Sequence, residues 1–489
     1  MRTSQSHPLQ IATVQPGKST GRIGITFCPG KVQPGAMSGS WSRDLGLDLD
    51  AIAKWGAVAV VTLVEDHELI TLKVNAMGKE VRARHMDWFH LPIPDVSVPD
   101  AAFEQQWADV APDLMHRLRA GFDVLVHCKG GLGRAGTIAA RLMIGMGVPA
   151  DQAVKAVRAV RPGAIETSAQ LANVMAQTEM PEPEPETSAA AIRNRAIGAL
   201  VGLAVGDAVG TTLEFKTRDT YPALTDMIGG GPFGLQPGEW TDDTAMALAL
   251  ADSLIQNPAL DEKDLMQRFV DWHAQGTYSC TGHCFDIGIT TRQALARWQK
   301  TGDPFAGSTD PMSAGNGSLM RLAPVAIRHF NDRALLRDVA ARQSRTTHAA
   351  PEAIDACVAY AEVLADAIAG ARRSEVLRHH NAGYAGKIGP ILQGSWRGKP
   401  RADIRASGYV AHALEASLWS VARTGDFRGA VLLAANLGED ADTTGAIAGQ
   451  LAGALYGASG IPKKWREQLA WCDRLTKAAE ALLAPSARP

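Results

Sequence analysis

Pro181-Glu-Pro-Glu-Pro-Glu-Thr-Ser-Ala-Ala190 divides this chain. Alternating proline and glutamate cannot form a helix interior or a core strand: each proline lacks a backbone donor, and the like charges repel. The stretch reads as an extended, solvated linker over 181–190, with one domain over 1–180 and a second over 191–489. The two sides are patterned differently, so each is read separately.

On the N-terminal side, Val58-Ala-Val-Val-Thr-Leu-Val64 and Val124-Leu-Val126 are short apolar, β-branched runs of the buried strand type. Helix-like stretches, among them 99–120 and 136–160, lie between and after them. The expected fold is α/β, a central sheet flanked by helices. On the C-terminal side, long Ala/Leu-rich segments with few strand signals predict an all-α domain. Gly198, Gly202, Gly206 and Gly210 recur every fourth residue, as do Gly445, Gly449, Gly453 and Gly457. In a helix that spacing forms one ridge. Each glycine costs about 1 kcal/mol against alanine in a helix, so close approach of two helix backbones is the compensation expected.

Composition sets the frame. Of 489 residues, 46% are hydrophobic and 20% charged, with a net charge of -2. There is no basic excess to draw nucleic acid or an anionic membrane, and neither partner is expected. The first twenty residues are polar, so no signal peptide is expected; no run of eighteen apolar residues stands out, and the expected location is the cytoplasm. The six cysteines are scattered rather than arranged as a disulfide framework.

The first chemical constellation is Val124-Leu-Val-His127-Cys128-Lys-Gly130-Gly131-Leu-Gly133-Arg134-Ala-Gly-Thr137, a strand, a glycine-rich loop and a helix start. Gly130, Gly131 and Gly133 allow backbone N–H groups to turn inward as an anion nest, and the helix N-terminus adds positive potential. Both favour the thiolate form of a cysteine. Arg134 can grip two phosphate oxygens with its planar fork. The thiolate of Cys128 would attack phosphorus and form a phospho-cysteine.

Over roughly 20–178 this half resembles the protein tyrosine and dual-specificity phosphatases, most closely the cyclin-dependent kinase-associated phosphatase group, whose loop is nearly His-Cys-Lys-Gly-Gly-Leu-Gly-Arg. The resemblance implies a phosphorylated substrate. It makes Asp95, in Pro92-Ile-Pro-Asp95-Val-Ser-Val-Pro-Asp100, the general acid, with Asp100 as second choice. Gly163-Ala-Ile-Glu-Thr167 and Gln170 resemble the segment near the hydrolytic water. The sequence departs from the family after the loop arginine, where Ala135 replaces the usual Ser or Thr; Thr137 is nearby but not equivalent.

The second constellation is split. Thr241-Asp242-Asp243-Thr244 and Glu439-Asp440-Ala-Asp442-Thr443-Thr444 each open an apolar, small-residue segment. Taken singly, Thr241 reads as an N-cap with two acids favouring the helix dipole. Taken together, the clusters suggest one hard-cation site, because Asp and Thr oxygens suit magnesium or manganese. Asp242, Asp243, Asp440 and Asp442 supply four negative charges, which two divalent ions balance.

These motifs resemble the ADP-ribosylglycohydrolase family, to which the dinitrogenase reductase-activating glycohydrolase belongs, over about 192–470. In family order they are Gly206-Asp207-Ala-Val-Gly210 with Glu214, Trp240-Thr-Asp-Asp-Thr244, Thr281-Gly-His-Cys-Phe-Asp286-Ile-Gly288, Gly315-Asn-Gly-Ser-Leu-Met-Arg321, Thr347-His-Ala349 and Gly438-Glu-Asp-Ala-Asp-Thr443. The resemblance implies that Thr241, Asp242, Asp243, Asp440, Asp442 and Thr443 hold two Mg2+, with Mn2+ an alternative. Glu214 would lie at the metal edge, and Asp242 or Glu214 would accept a proton from the attacking water. Gly315, Asn316, Gly317 and Ser318 would meet the diphosphate or distal ribose, partly through backbone N–H groups, and His348 would bond the substrate. Asp286 reads as a partner behind the metal ligands or as a buried N-cap. The resulting expectation is a bifunctional hydrolase acting on an ADP-ribosylated protein or an ADP-ribose derivative, with arginine the foremost linkage. The competing class is a module that binds ADP-ribose without turnover; a lost ligand would mark it, and none is missing.

Overall fold

The computed structural model describes residues 1–36, 39–378 and 383–484. It divides into two compact units, Met1–Pro183 and Glu184–Pro489.

In the first unit, the strands Ala12–Val14, Ile23–Phe27, Asp123–Cys128, Ala57–Thr62 and Asp87–His90 lie side by side in that order. All pairs are parallel except the antiparallel edge strand Ala12–Val14. Parallel strands are covered on both faces, which is why Ala57–Thr62 is apolar and buried along its whole length. The central strand ends at Cys128, paired with Phe27 on one side, while its neighbour His127 pairs with Thr62 on the other. The helix Gly133–Gly145 follows at once and is buried throughout. The helix expected over 136–160 is two helices, Gly133–Gly145 and Ala150–Val160. Gly147, at φ 93°, breaks it, and Pro149 starts the next segment.

In the second unit, the linker ends earlier than its sequence predicts. Ser188 accepts a bond from Ala191 N at 3.2 Å and starts the helix Ala189–Gly210, and the Glu186 carbonyl accepts from Arg195 at 2.7 Å. Extended to Leu213, this helix holds an eighteen-residue stretch of mean hydropathy 1.6, long and apolar enough by composition to cross a membrane although no unbroken apolar run marks it. Of that stretch 94% is buried inside the protein, as a central core helix is.

Its partner is the helix Ala441–Gly460, running antiparallel against it. A Cβ on Gly198, Gly202, Gly206 or Gly210 would lie 2.2, 2.4, 2.1 or 2.2 Å from the carbonyl oxygen of Gly453, Gly449, Gly445 or Ala441. The two glycine ridges therefore meet backbone to backbone. Gly457 leaves the ridge: at φ 71° and ψ 171° it kinks the chain, and Ala441 takes the fourth place opposite Gly210. Because the obstacle is backbone, no rotamer change relieves it. Gly206→Ala should cost about 2–3 kcal/mol despite alanine's better helix propensity, lowering the melting temperature by ~5–10 °C in calorimetry. The crossing has a functional consequence. It sets the last turn of one helix, with Asp207, beside the first turn of the other, with Asp440 and Asp442.

Candidate functional site

In the first unit, the loop after the central strand curls back on its thiol: Gly131 N donates to Cys128 Sγ at 3.2 Å. Gly131 sits at φ 69°, and a Cβ there would strike the Thr26 carbonyl at 2.6 Å. Arg134 is buried at the start of the following helix. Its Nη1 and Nη2 donate to Glu68 Oε2 and Oε1 at 2.6 and 3.1 Å, and Nη1 also to Ile93 O at 2.9 Å. Glu68 is buried; desolvation opposes its charge, but the bonds from Arg134 prevail and hold it below the usual carboxylate range. Sequence reasoning missed Glu68, because nothing local marks a helical glutamate sixty-six positions away as the arginine's anchor.

Asp95 lies at the cradle, 2.9 Å from Arg134 Nη2 and 3.8 Å from Lys129 Nζ. Asp100 does not: its carboxylate caps the helix Ala101–Arg119 through Phe103 N at 2.8 Å. Glu166 accepts from Gly133 N at 2.7 Å, and Gln170 ties Glu166 N to Ser97 O. The Thr137 hydroxyl is spent on Gly133 O at 2.8 Å, and Ala135 has none to offer. Lys31 is the notable addition. Its ammonium is buried, bonds Lys129 O at 3.1 Å, and is depressed by desolvation while Cys28 and Cys128 favour its charge.

In the second unit, the acidic clusters converge. Asp207, Asp243 and Asp442 place carboxylate oxygens within 4.8 Å of one another, and so do Glu214, Asp440 and Asp442. Asp442 belongs to both groups. Thr241 Oγ1 lies 2.9, 3.4 and 3.2 Å from oxygens of Asp207, Asp243 and Asp442. One hydroxyl proton cannot serve three carboxylates, and Asp243 Oδ1 is buried with no hydrogen-bond partner. Both features fit cations supplying the missing positive charge.

The helix starts are capped from outside. Thr241 is the N-cap of the helix Asp242–Gln256, yet its side chain makes no cap bond. Instead Asp207 reaches across: Oδ1 accepts from Thr241 N at 2.9 Å and Oδ2 from Thr244 N at 3.1 Å. Glu214 does the same for Ala441–Gly460, its Oε2 accepting from Ala441 N and Asp442 N at 2.7 and 3.2 Å. Two reciprocal bonds hold that arrangement, Phe215 N to Glu439 O and Glu439 N to Lys216 O, both 2.8 Å. Phe215 and Glu439 both sit at φ 61°.

Crowded burial of like charges penalises ionisation throughout. Burial and Asp442 push Asp207 up to about 7 and Asp440 likewise to about 7. Burial, Asp442 and Asp440 push Glu214 up to about 12, and burial with Asp442 pushes Asp286 to about 9. Asp242 and Asp243 also lie well above the ordinary carboxylate range, again first through burial.

A cavity of about 640 Å3 opens over these groups, lined by Glu214, Asp242, Asp286, Asp440, Asp442 and Thr443 on its acidic side and by Gly315, Asn316, Gly317 and His348 elsewhere. Asp286 faces this cavity at φ 57°; it is not an N-cap, since Gly288 caps the helix that follows. Asn316 Nδ2 donates to Asp440 Oδ2 at 2.7 Å. Two expectations for the glycine loop need correction. The N–H groups of Gly315 and Asn316 are already given to Ser313 O and Gly408 O, at 2.8 and 3.1 Å, so they are not free for a ligand. Ser318 is fully buried away from the cavity. Cys357 donates to Ser318 Oγ, the two hydroxyls of Ser318 and Ser344 meet at 2.8 Å, and Ser344 Oγ donates to His348 O at 2.8 Å. Ser318 thus supports His348 from behind. The two glycines are needed for the same neighbour: a Cβ on Gly315 or Gly317 would lie 3.2 or 2.7 Å from the His348 ring.

The chain is similar to known proteins over both units. A sequence model of the ADP-ribosylglycohydrolase family matches residues 188–489, and one described as "Swiss Army Knife protein, DSP-PTPase phosphatase domain" matches 28–174. "ADP-ribosylarginine hydrolase Tri1" of Serratia proteamaculans (strain 568) is 47% identical over 291 residues, 59% of this chain and 79% of that protein. "ADP-ribosyl-[dinitrogen reductase] glycohydrolase" of Rhodospirillum rubrum is 34% identical, covering 57% of this chain and 91% of its own. A solved structure, "ADP-ribosylglycohydrolase-related protein complex", superposes with a TM-score of 0.53 at 40% identity, covering 60% of this chain and 98% of that one. With the paired acidic groups, the glycine-ridge helices and the cavity over them, the chain belongs to the ADP-ribosylglycohydrolase family and carries a dual-specificity-type phosphatase domain ahead of that region.

Proposed function

We propose that the helical unit hydrolyses the glycosidic bond between ADP-ribose and an arginine side chain with two divalent cations, and that the α/β unit is a phosphatase working through a phospho-cysteine. The observation that carries the first part is the pair of carboxylate groups sharing Asp442. Asp207, Asp243 and Asp442 with Thr241 would hold one ion; Asp440, Asp442 and Glu214 the other, with Asp242 and Thr443 beside them on the cavity wall. Asp207 is an addition to the ligands expected from sequence. All donors are hard oxygens, the set that magnesium or manganese takes. Bound there, two such ions supply Lewis-acid positioning of the ribose hydroxyls and a more acidic water. The chain does the rest. Asn316 orients Asp440, Glu214 holds the Ala441 helix start, and Asp242 or Glu214 accepts the water proton. The relatives named for ADP-ribosylarginine favour a guanidinium leaving group.

In the phosphatase unit, Cys128 attacks phosphorus while Arg134 bridges two phosphate oxygens and Asp95 protonates the departing oxygen; water then attacks the phospho-cysteine and frees the thiolate. Glu68 keeps the guanidinium in its cradle.

The test of the glycosidic reading is product release. A chelated preparation would be incubated with ADP-ribosyl-arginine and ADP-ribosyl-serine peptides, with and without magnesium. Magnesium-dependent release of free ADP-ribose from the arginine peptide is expected. Tight ADP-ribose binding without any metal-dependent release would replace the enzyme by a binding module.

The acidic crowding also predicts a pH dependence. Asp207 and Asp440, near 7, and Asp286, near 9, hold protons in the folded cation-free protein that the unfolded chain has already released. Folding then binds extra protons between about pH 4 and 9, so stability falls as pH rises across that window. Differential scanning calorimetry of the chelated protein should show a falling melting temperature from pH 5 to 8, and saturating magnesium should flatten the slope.

A further inference from the structure

Arg321 is fully buried in the helical unit, and no carboxylate stands within ion-pair distance of it among the described residues. Its guanidinium is held by neutral acceptors: Nε by Gln343 Oε1 at 3.0 Å and Nη2 by Gln343 O at 2.9 Å, with Thr346 Oγ1 farther from Nη2 at 3.3 Å and the Phe269 ring centroid 4.6 Å from Cζ. An uncompensated buried cation is costly, so its retention asks for a reason. Nη2 makes one more bond, to Thr347 Oγ1 at 2.9 Å, and that oxygen lies 2.9 Å from His348 Nδ1.

The hydrogen bonds along this chain constrain where its protons sit. A guanidinium only donates, so Thr347 Oγ1 accepts from it. The single hydroxyl proton then has His348 Nδ1 as its acceptor. An imidazole accepting at Nδ1 is neutral and carries its proton on Nε2. Burial and the nearby Arg321 charge push His348 down to about 3, which keeps it neutral. Nε2 is the ring nitrogen beside Gly315 and Gly317, on the cavity wall.

We infer that Arg321 and Thr347 are positioning residues that set His348 as a fixed Nε2–H donor for an anionic oxygen of the bound diphosphate. This rests on the ADP-ribose reading of the cavity. The Gly315 and Asn316 N–H groups are given to protein carbonyls, so the histidine supplies a donor that these two do not, and the buried positive charge behind it biases that wall toward an anion.

The test uses the full-length chain, with Thr347→Val to remove the hydroxyl at constant shape and Thr347→Ser to keep it. Thr347→Ala is the second variant should valine impair folding, which circular dichroism would reveal. Nitrogen-15 spectra of histidine-labelled protein report the tautomer, with the His348 signals assigned by their loss in His348→Asn. The unaltered and Thr347→Ser proteins should show Nε2–H. Thr347→Val should show Nδ1–H or a mixture, bind ADP-ribose ~10-fold or more weakly by calorimetry, and raise KM for ADP-ribosyl-arginine by a similar factor with kcat changed less than about twofold. An unchanged tautomer, or ADP-ribose affinity unchanged in the folded hydroxyl-less variant, would overturn the inference. Failure of the unaltered protein to bind ADP-ribose would overturn the ligand reading instead, while the spectra would still decide the tautomer.

Discussion

Asp442→Asn should reduce magnesium-dependent release of ADP-ribose from an arginine peptide about a thousandfold, a loss of ~4 kcal/mol in transition-state stabilisation. Asp442 is the one carboxylate common to both acidic groups, so its charge is shared by both proposed ions. It also meets Thr241 Oγ1 at 3.2 Å. Asparagine keeps the shape and removes the charge from both sites at once. The cation-free variant should be no less stable than the unaltered protein, because Asp442 is a leading source of repulsion on Asp207, Glu214 and Asp286. It should, however, lose the rise in melting temperature that magnesium gives the unaltered protein. Steady-state release assays and calorimetry with a magnesium titration check both halves. Full activity in Asp442→Asn would sink the shared-ion reading, and loss of activity with an intact magnesium response would move the role of Asp442 from the metals to the substrate.

Cys128→Ser should abolish hydrolysis of an aryl phosphate, by about ten-thousandfold or more, since a serine hydroxyl in an anion nest is a far weaker nucleophile than a thiolate. The fold should survive, because the residue ends a central strand with a neighbour on each side and the change is small. The ADP-ribosyl hydrolase activity of the same preparation should be unchanged, as phosphatase activity should be in Asp442→Asn. Arg134→Lys should also be severe, about a hundredfold or more, because a point charge replaces the planar fork that Glu68 clamps at 2.6 and 3.1 Å. Mass spectrometry of protein quenched during turnover should find phosphate on Cys128 and none on the serine variant. Undiminished turnover by Cys128→Ser would remove the phospho-cysteine step.

Several features were legible before any coordinates because they are local. The strand, glycine loop and helix start around Cys128 follow from neighbouring residues, and the structure has them in that order. The ridge spacing of glycine predicted that two distant helices touch, and they meet carbonyl to glycine along four positions. That inference worked because the cost of glycine in a helix is local while its compensation is not. Gly457 departs from the ridge: it kinks its helix, although its backbone still meets Gly198, and Ala441 stands opposite Gly210. A period in sequence cannot say where its own helix bends.

Other features were legible only in part. Nothing around Asp207 in the sequence marks its task; it lies in the last turn of a core helix, and only folding sets it against Thr241 and Thr244. Glu68 had no sequence signal at all. The place of Ser318 in a glycine-rich motif suggests a substrate contact, but its hydroxyl points into the chain that ends on the His348 carbonyl.

By itself the sequence determined the two fold types, the strand, glycine loop and helix start around Cys128 and the oxygen-rich character of the second site, because periodicity, turn chemistry and donor type are carried by neighbouring residues. Only the tertiary structure decided which carboxylates share Asp442, which loop N–H groups are already given to carbonyls, and which hydroxyl meets His348 Nδ1. Those depend on distances of about 3 Å between segments up to hundreds of residues apart, and a hydrogen bond is directional over a range that no spacing along the chain encodes.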